Sequence, residues 1–166
     1  MTDSGRHGLE TAPRAERPTM DAIEVRAPGL AALMVRLLMR MPEGVRGRVL
    51  NDAFDRAARA FNRADFASVC ALFTDGVEYV PPPALYSGEP IIGRTAVLEF
   101  WFDVSRRYVR NRIVNLSIEE TDRSHFVRMA RLSHENPDST LDYVIRQTTE
   151  IRAGRVVRQV NVAVSS

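Results

Sequence analysis

The chain has 166 residues, 45% apolar and 27% charged, the balance of one globular domain. It contains no collagen repeat, no low-complexity tract and no apolar run of about 20 residues, which excludes a fibrous protein and a membrane-spanning helix. All 23 basic residues are arginine, interleaved with 21 acidic residues for a formal net charge of +2. A nucleic-acid-binding face needs clustered cations, so neither nucleic acid nor membrane is expected as a partner. The opening MTDSGRHGLE lacks the apolar segment of a secretory signal. The lone Cys70 allows neither an internal disulfide nor a cysteine zinc site, and a cytoplasmic location is expected.

Residues 1–28 are rich in Arg, Glu, Pro, Thr and Gly. They offer too little apolar surface to offset the entropy of ordering, and are expected to form a flexible arm. Pro28 and Pro42 bracket GLAALMVRLLMRM, which predicts an extra helix within residues 29–43. It is apolar nearly all round, with Arg36 and Arg40 as its polar stripe. Such a helix packs on the domain and closes a cavity, meets a partner, or lies on a membrane surface. Residues 44–63 predict a second helix, with Val49, Ala53, Ala57 and Phe61 at i+4 spacing. Asp65 is an N-cap for a short third helix that places Phe66, Val69, Cys70 and Phe73 on one face. Cys70 reads there as a small buried apolar residue. Val77 to Val80 read as a strand halted by Pro81, Pro82 and Pro83. Gly93-Arg94-Thr95 opens a further helix whose apolar face is Val97, Phe100, Trp101, Val104 and Tyr108.

The last third changes period. Strands are predicted over 110–120, 124–134, 140–152 and 155–164, with turns at Thr121-Asp122, at 135–139 and at Ala153-Gly154. In the third, Leu141, Tyr143, Ile145 and Ile151 share a face with Gln147 and Thr149; Asp142, Arg146, Glu150 and Arg152 take the other. Helices segregated from a run of strands specify an α+β fold. With helices on one face only, the antiparallel sheet must curve around them, leaving a conical cavity.

Three segments carry a resemblance: AFNRADFASVCALFTDGVEYVPP (60–82), GRTAVLEFW (93–101) and EIRAGRVVRQVNV (150–162). Over about residues 44–164, within an expected domain of residues 44–166, the chain resembles the nuclear transport factor 2-like superfamily in its SnoaL-like branch, the relatives of polyketide cyclases, ketosteroid isomerase and limonene epoxide hydrolase. The resemblance implies a cystatin-like α+β barrel, a small hydrophobic metabolite as ligand, no cofactor, and a homodimer through the outer sheet face. Ketosteroid isomerase has a catalytic aspartate where this chain has Val80. Limonene epoxide hydrolase has a tyrosine at the position of Glu78, and its Arg-x-Asp pair is matched by Arg128-Met129-Ala130. Its other aspartate is matched by Asn161. Ala130 and Asn161 cannot take a proton from water, so epoxide hydrolysis by that route is not expected.

Strand parity and the resemblance point Glu78 and Val80 inward from the first strand, Phe126, Arg128, Ala130 and Leu132 from the second meander strand, Tyr143 and Ile145 from the next, and Asn161 from the last. Trp101 supplies helix-side wall. The sharp reading makes Glu78 a general base, its pKa raised by an apolar cavity, that removes a proton beside a carbonyl. Arg128 then stabilises the oxyanion, with Asn161 or Tyr143 donating a hydrogen bond. The blander readings are a Glu78–Arg128 ion pair or an outward Glu78. The chain is thus expected to be a cofactor-independent cyclase or isomerase, or else a non-catalytic ligand-binding or dimeric interaction module. His7, His125 and His134 do not converge on a metal, and His134, beside a turn, is expected to be exposed.

Overall fold

The computed structural model describes residues 28–164; the flexible arm expected before them lies outside the described residues, apart from Pro28. In chain order come helices α1 (Pro28–Leu38), α2 (Glu43–Asn62) and α3 (Phe66–Val69), strands β1 (Phe73–Val80) and β2 (Ile91–Ile92), and helix α4 (Arg94–Arg107). Four long strands follow: β3 (Arg110–Asp122), β4 (His125–Asn136), β5 (Ser139–Arg152) and β6 (Arg155–Ala163). One sheet of order β2-β1-β6-β5-β4-β3 holds all six. Only β1 and β6 pair in parallel; the remaining neighbours are antiparallel. The sheet is curved and unclosed; its four long antiparallel strands are those the meander pattern predicts, and the parallel β1–β6 pairing is an addition to it. No described helix is long and apolar enough to cross a membrane.

Local chemistry accounts for most boundaries. Asp65 caps α3 by accepting a hydrogen bond from Ser68 N at 3.1 Å. Beyond it the sequence reading is corrected. Phe73, expected on the face of α3, instead opens β1, where it pairs with Val156 of β6. A partner strand decides this position over helical periodicity.

Between β5 and β6 both turn residues have positive φ, 52° at Ala153 and 77° at Gly154, the two-residue geometry whose twist matches a hairpin. Helix α1 docks on this turn. Arg36 Nε donates to the Ala153 carbonyl at 2.9 Å, and a Cβ on Gly154 would collide with the carbonyl of Ala32. Leu38 packs with Leu50 of α2 and Phe126 of β4. Helix α1 therefore packs on the domain, while Leu30, Leu33, Met34 and Leu37 stay exposed.

The main core joins Phe61 and Phe66 to Tyr79, Trp101, Leu132 and Ile145. Val114 of β3 and Val162 of β6 are exposed on the opposite face of the sheet, where the expected homodimer would pack.

Gly154→Ala adds both a clash and a strained φ. We expect it to lower unfolding free energy by about 1–3 kcal/mol and to speed tryptic cleavage after Arg36. Unchanged stability and protection would show that α1 does not depend on this contact.

Candidate functional site

Small residues on α2 and the curl of the sheet leave a cavity. Ala53 and Ala57 occupy one i, i+4 row of α2 and face Arg128, Gln147, Thr149 and Gln159 across a space of about 140 Å³. A narrower lobe of about 30 Å³ runs on to Tyr79, Trp101 and Asn161, and shares Arg128, Gln147 and Gln159 with the first.

Alternation along the strands sets the wall. Phe126, Arg128, Ala130, Leu132 and His134 are the buried parity of β4, and Ile145, Gln147 and Thr149 are buried on β5. Asn161 is 2% exposed on β6. Trp101 stands edge-on to Phe61, with centroids 4.8 Å apart. Of the residues predicted for the site, Arg128, Asn161, Trp101, Leu132 and Ile145 line the narrow lobe together. Phe126 and Ala130 point inward but serve packing, Phe126 beneath α1 and Ala130 in the main core. Tyr143 also lies off the cavity; its hydroxyl meets His134 Nε2 at 3.0 Å.

Glu78 and Val80 are placed otherwise than predicted. The buried residues of β1 are Phe73, Val77 and Tyr79, so Glu78 and Val80 take the outer parity. The Glu78 carboxylate accepts from Arg158 Nε at 3.0 Å, and both side chains are more than a third exposed. Neither the inward base nor the Glu78–Arg128 pair exists, and the outward reading holds. Both parities of this short strand carry an apolar residue, and its pairing shifts register between Phe73 and Glu78, so neither periodicity nor length could fix its face. Val80 reaches the site only through its carbonyl, which accepts from Asn161 Nδ2 at 2.7 Å. The inward residue that the sequence reading passed over is Tyr79, and its aromatic character was the available signal.

Arg128 dominates the electrostatics. It is 6% exposed. Its Nη1 donates to Asn115 Oδ1 at 3.2 Å, and its guanidinium lies 5.5 Å from the Phe54 ring centroid. Its Nε is buried with no hydrogen-bond partner, and among the described residues no carboxylate pairs with it. Asp55 is one side chain removed, accepting from Asn115 Nδ2 at 2.7 Å. Burial lowers the Arg128 pKa to about 10, against the opposing pull of Tyr79 and Asp55, so it stays cationic at neutral pH. Thr149 Oγ1, on the same wall, is also buried without a partner. Gln147 Nε2 donates to Asn161 Oδ1 at 2.8 Å. Burial pushes the Tyr79 hydroxyl well above its ordinary value, which leaves it neutral.

His134 is fully buried, which corrects the expectation of exposure. Strand β4 runs to Asn136, so His134 sits inside the ladder. Its Nδ1 lies 2.6 Å from Asn111 Oδ1. With Tyr143 at Nε2, this arrangement suits a neutral ring that donates from Nδ1 and accepts at Nε2. Burial, then Arg107, lower its pKa to about 4. Cys70 is buried as predicted, its thiol raised by burial to about 12. Among the described residues no three His, Cys, Asp or Glu side chains are grouped to hold a metal ion.

Fold and wall together define a cone of the nuclear transport factor 2-like type with its pocket beneath the sheet. The chain is similar to a protein of that type from Burkholderia pseudomallei, with TM-score 0.58 and 17% identity over 66% of this chain and 86% of that one. It is similar to TerC, co-crystallised with polyporic acid, with TM-score 0.58 and 16% identity over 68% and 89%. It is also similar to IdmH of Streptomyces antibioticus, provisionally assigned as a polyketide cyclase, with TM-score 0.56 and 13% identity over 68% and 90%. At these identities the likeness is one of fold. No family model and no curated protein matches the sequence.

The pH dependence of stability tests the His134 site. Its folded pKa, about 4, lies below the ordinary 6.5, so across that window the unfolded chain binds a proton that the native protein does not. This contribution to stability is complete above about pH 6.5 and is lost as pH falls toward 4. Urea melts at pH 7 and 4.5 should show about 2 kcal/mol less of the loss in His134→Gln than in the parent protein. An equal loss in both would contradict the assignment.

Proposed function

We propose that the protein binds a small molecule in the cavity beneath the sheet, oriented by Arg128, with Glu78 taking no part. One observation carries this reading: a cationic guanidinium is buried in the wall of a mostly apolar cavity without a carboxylate to pair with. An unpaired buried charge costs several kcal/mol, so a site that served packing alone would be more stable with an apolar side chain. Among the described lining residues there is no Asp, Glu or His. A group that could carry a proton to and from carbon near neutral pH is therefore missing from the wall, which supports binding over acid–base turnover. TerC, of similar fold, was co-crystallised with polyporic acid, which supports small-molecule binding as such. The volume of about 140 Å³ compares with apolar cavities of about 150 Å³ that admit benzene, and so suits a compound of one ring.

Two-dimensional NMR during titration with one-ring compounds tests this. Shifts should concentrate on the cavity wall in the parent protein and in Glu78→Gln alike, and vanish in Ala57→Phe, which fills the cavity. No shifts with any probe, or unchanged shifts in Ala57→Phe, would overturn the reading.

A further inference from the structure

The geometry points to a carboxylate monoanion as the ligand, its head held by Arg128 and Thr149 and its apolar body lying against α2. This rests on the binding role proposed above and adds the charge and head group of what is bound.

The argument begins with donors. Asn115 occupies Nη1 of Arg128, and the Phe54 ring lies beside the guanidinium. The Nε is left without a partner, and among the described residues none bonds the adjacent Nη2. That edge presents two parallel N–H donors, the spacing that matches the two oxygens of a carboxylate. Thr149 supplies a third donor. Gln147 is the direct cross-strand partner of Arg128, and Phe126 that of Thr149, so Thr149 stands diagonally from Arg128 on the same face, at about 7–8 Å by backbone. Both side chains line the larger lobe; their two unpaired atoms are closed off from it as the side chains stand, and a head group between them satisfies both once the side chains turn toward it. Leaving such atoms unpaired costs the full desolvation of each group.

Charge then selects among head groups. The lining carries one cation and no anion. A neutral ligand leaves that cation unpaired, and a phosphate dianion leaves a net negative charge in an apolar space. A monocarboxylate balances it. Ala53, Ala57, Val69 and Leu72 line the rest of this lobe, which suits an aromatic or branched aliphatic body of about six heavy atoms by the same volume comparison.

Benzoate and its neutral isostere benzamide, titrated into the full chain at pH 7, test the inference. Benzoate should bind at least about 10-fold more tightly. Arg128→Met should weaken benzoate about 10–100-fold and benzamide less, so that the preference for benzoate collapses. Thr149→Val, close in shape and fit to fold, should weaken benzoate about 3–10-fold, which decides the matter even if Arg128→Met fails to fold. Equal binding of the two probes by the parent protein overturns the carboxylate assignment and leaves the binding cavity standing. Benzoate binding indifferent to both variants also overturns it. No binding of either probe, with no shifts from other one-ring compounds, overturns the cavity reading itself.

Discussion

The parallel seam between β1 and β6 is the constraint on which the rest of the structure depends. It brings a strand from the first half of the chain beside the last strand, so α4, packed on β1, joins α2, packed on β3, against one face of a single sheet. The antiparallel meander alone would lack the β1 edge and the part of its apolar face that α4 covers. Through the seam, Val77 and Tyr79 join the core that contains Trp101, Leu132 and Ile145. The same seam turns Glu78 outward toward Arg158 and so leaves the interior without that carboxylate. Architecture and the chemistry of the cavity have one origin.

Within that enclosure, polar groups fall into two kinds. Gln147, Asn161 and the Val80 carbonyl satisfy one another, as His134 does with Asn111 and Tyr143. Closed networks of this sort fix register and serve the fold. Arg128 and Thr149 differ, because each retains a buried donor atom that nothing in the described chain engages. Groups left unsatisfied in an otherwise well-paired interior mark the places where a fold gives up stability for another purpose.

Much of this was legible in the sequence. The meander's alternation is long, so strand parity and the family resemblance together point Arg128, Leu132, Ile145 and Asn161 inward, and all four are buried. The residues that failed sit where periodicity is short or competes with pairing. Residues 77–80 offered four positions of strand with an apolar residue on each face, and the inward tyrosine was passed over in favour of its neighbour. On the sequence pattern His134 borders a turn, since Asn136-Pro137-Asp138 begins two residues later, yet the strand runs through Asn136. Gln147 and Thr149 were seen on an inward face. Their meeting with Arg128 depends on cross-strand register, which a single strand's pattern does not contain.

The central claim is that Arg128 is kept for what it binds rather than for what it holds together. The unfolding free energy of Arg128→Met tests it most directly, since methionine removes the buried guanidinium and keeps an apolar chain that reaches about as far as Nε. The account predicts that the variant is as stable as the parent protein or more so, by about 1 kcal/mol, as when buried charges give way to packed apolar groups. A loss of about 3 kcal/mol or more would show that Asn115 and Phe54 satisfy the guanidinium in full, and that Arg128 belongs to the fold.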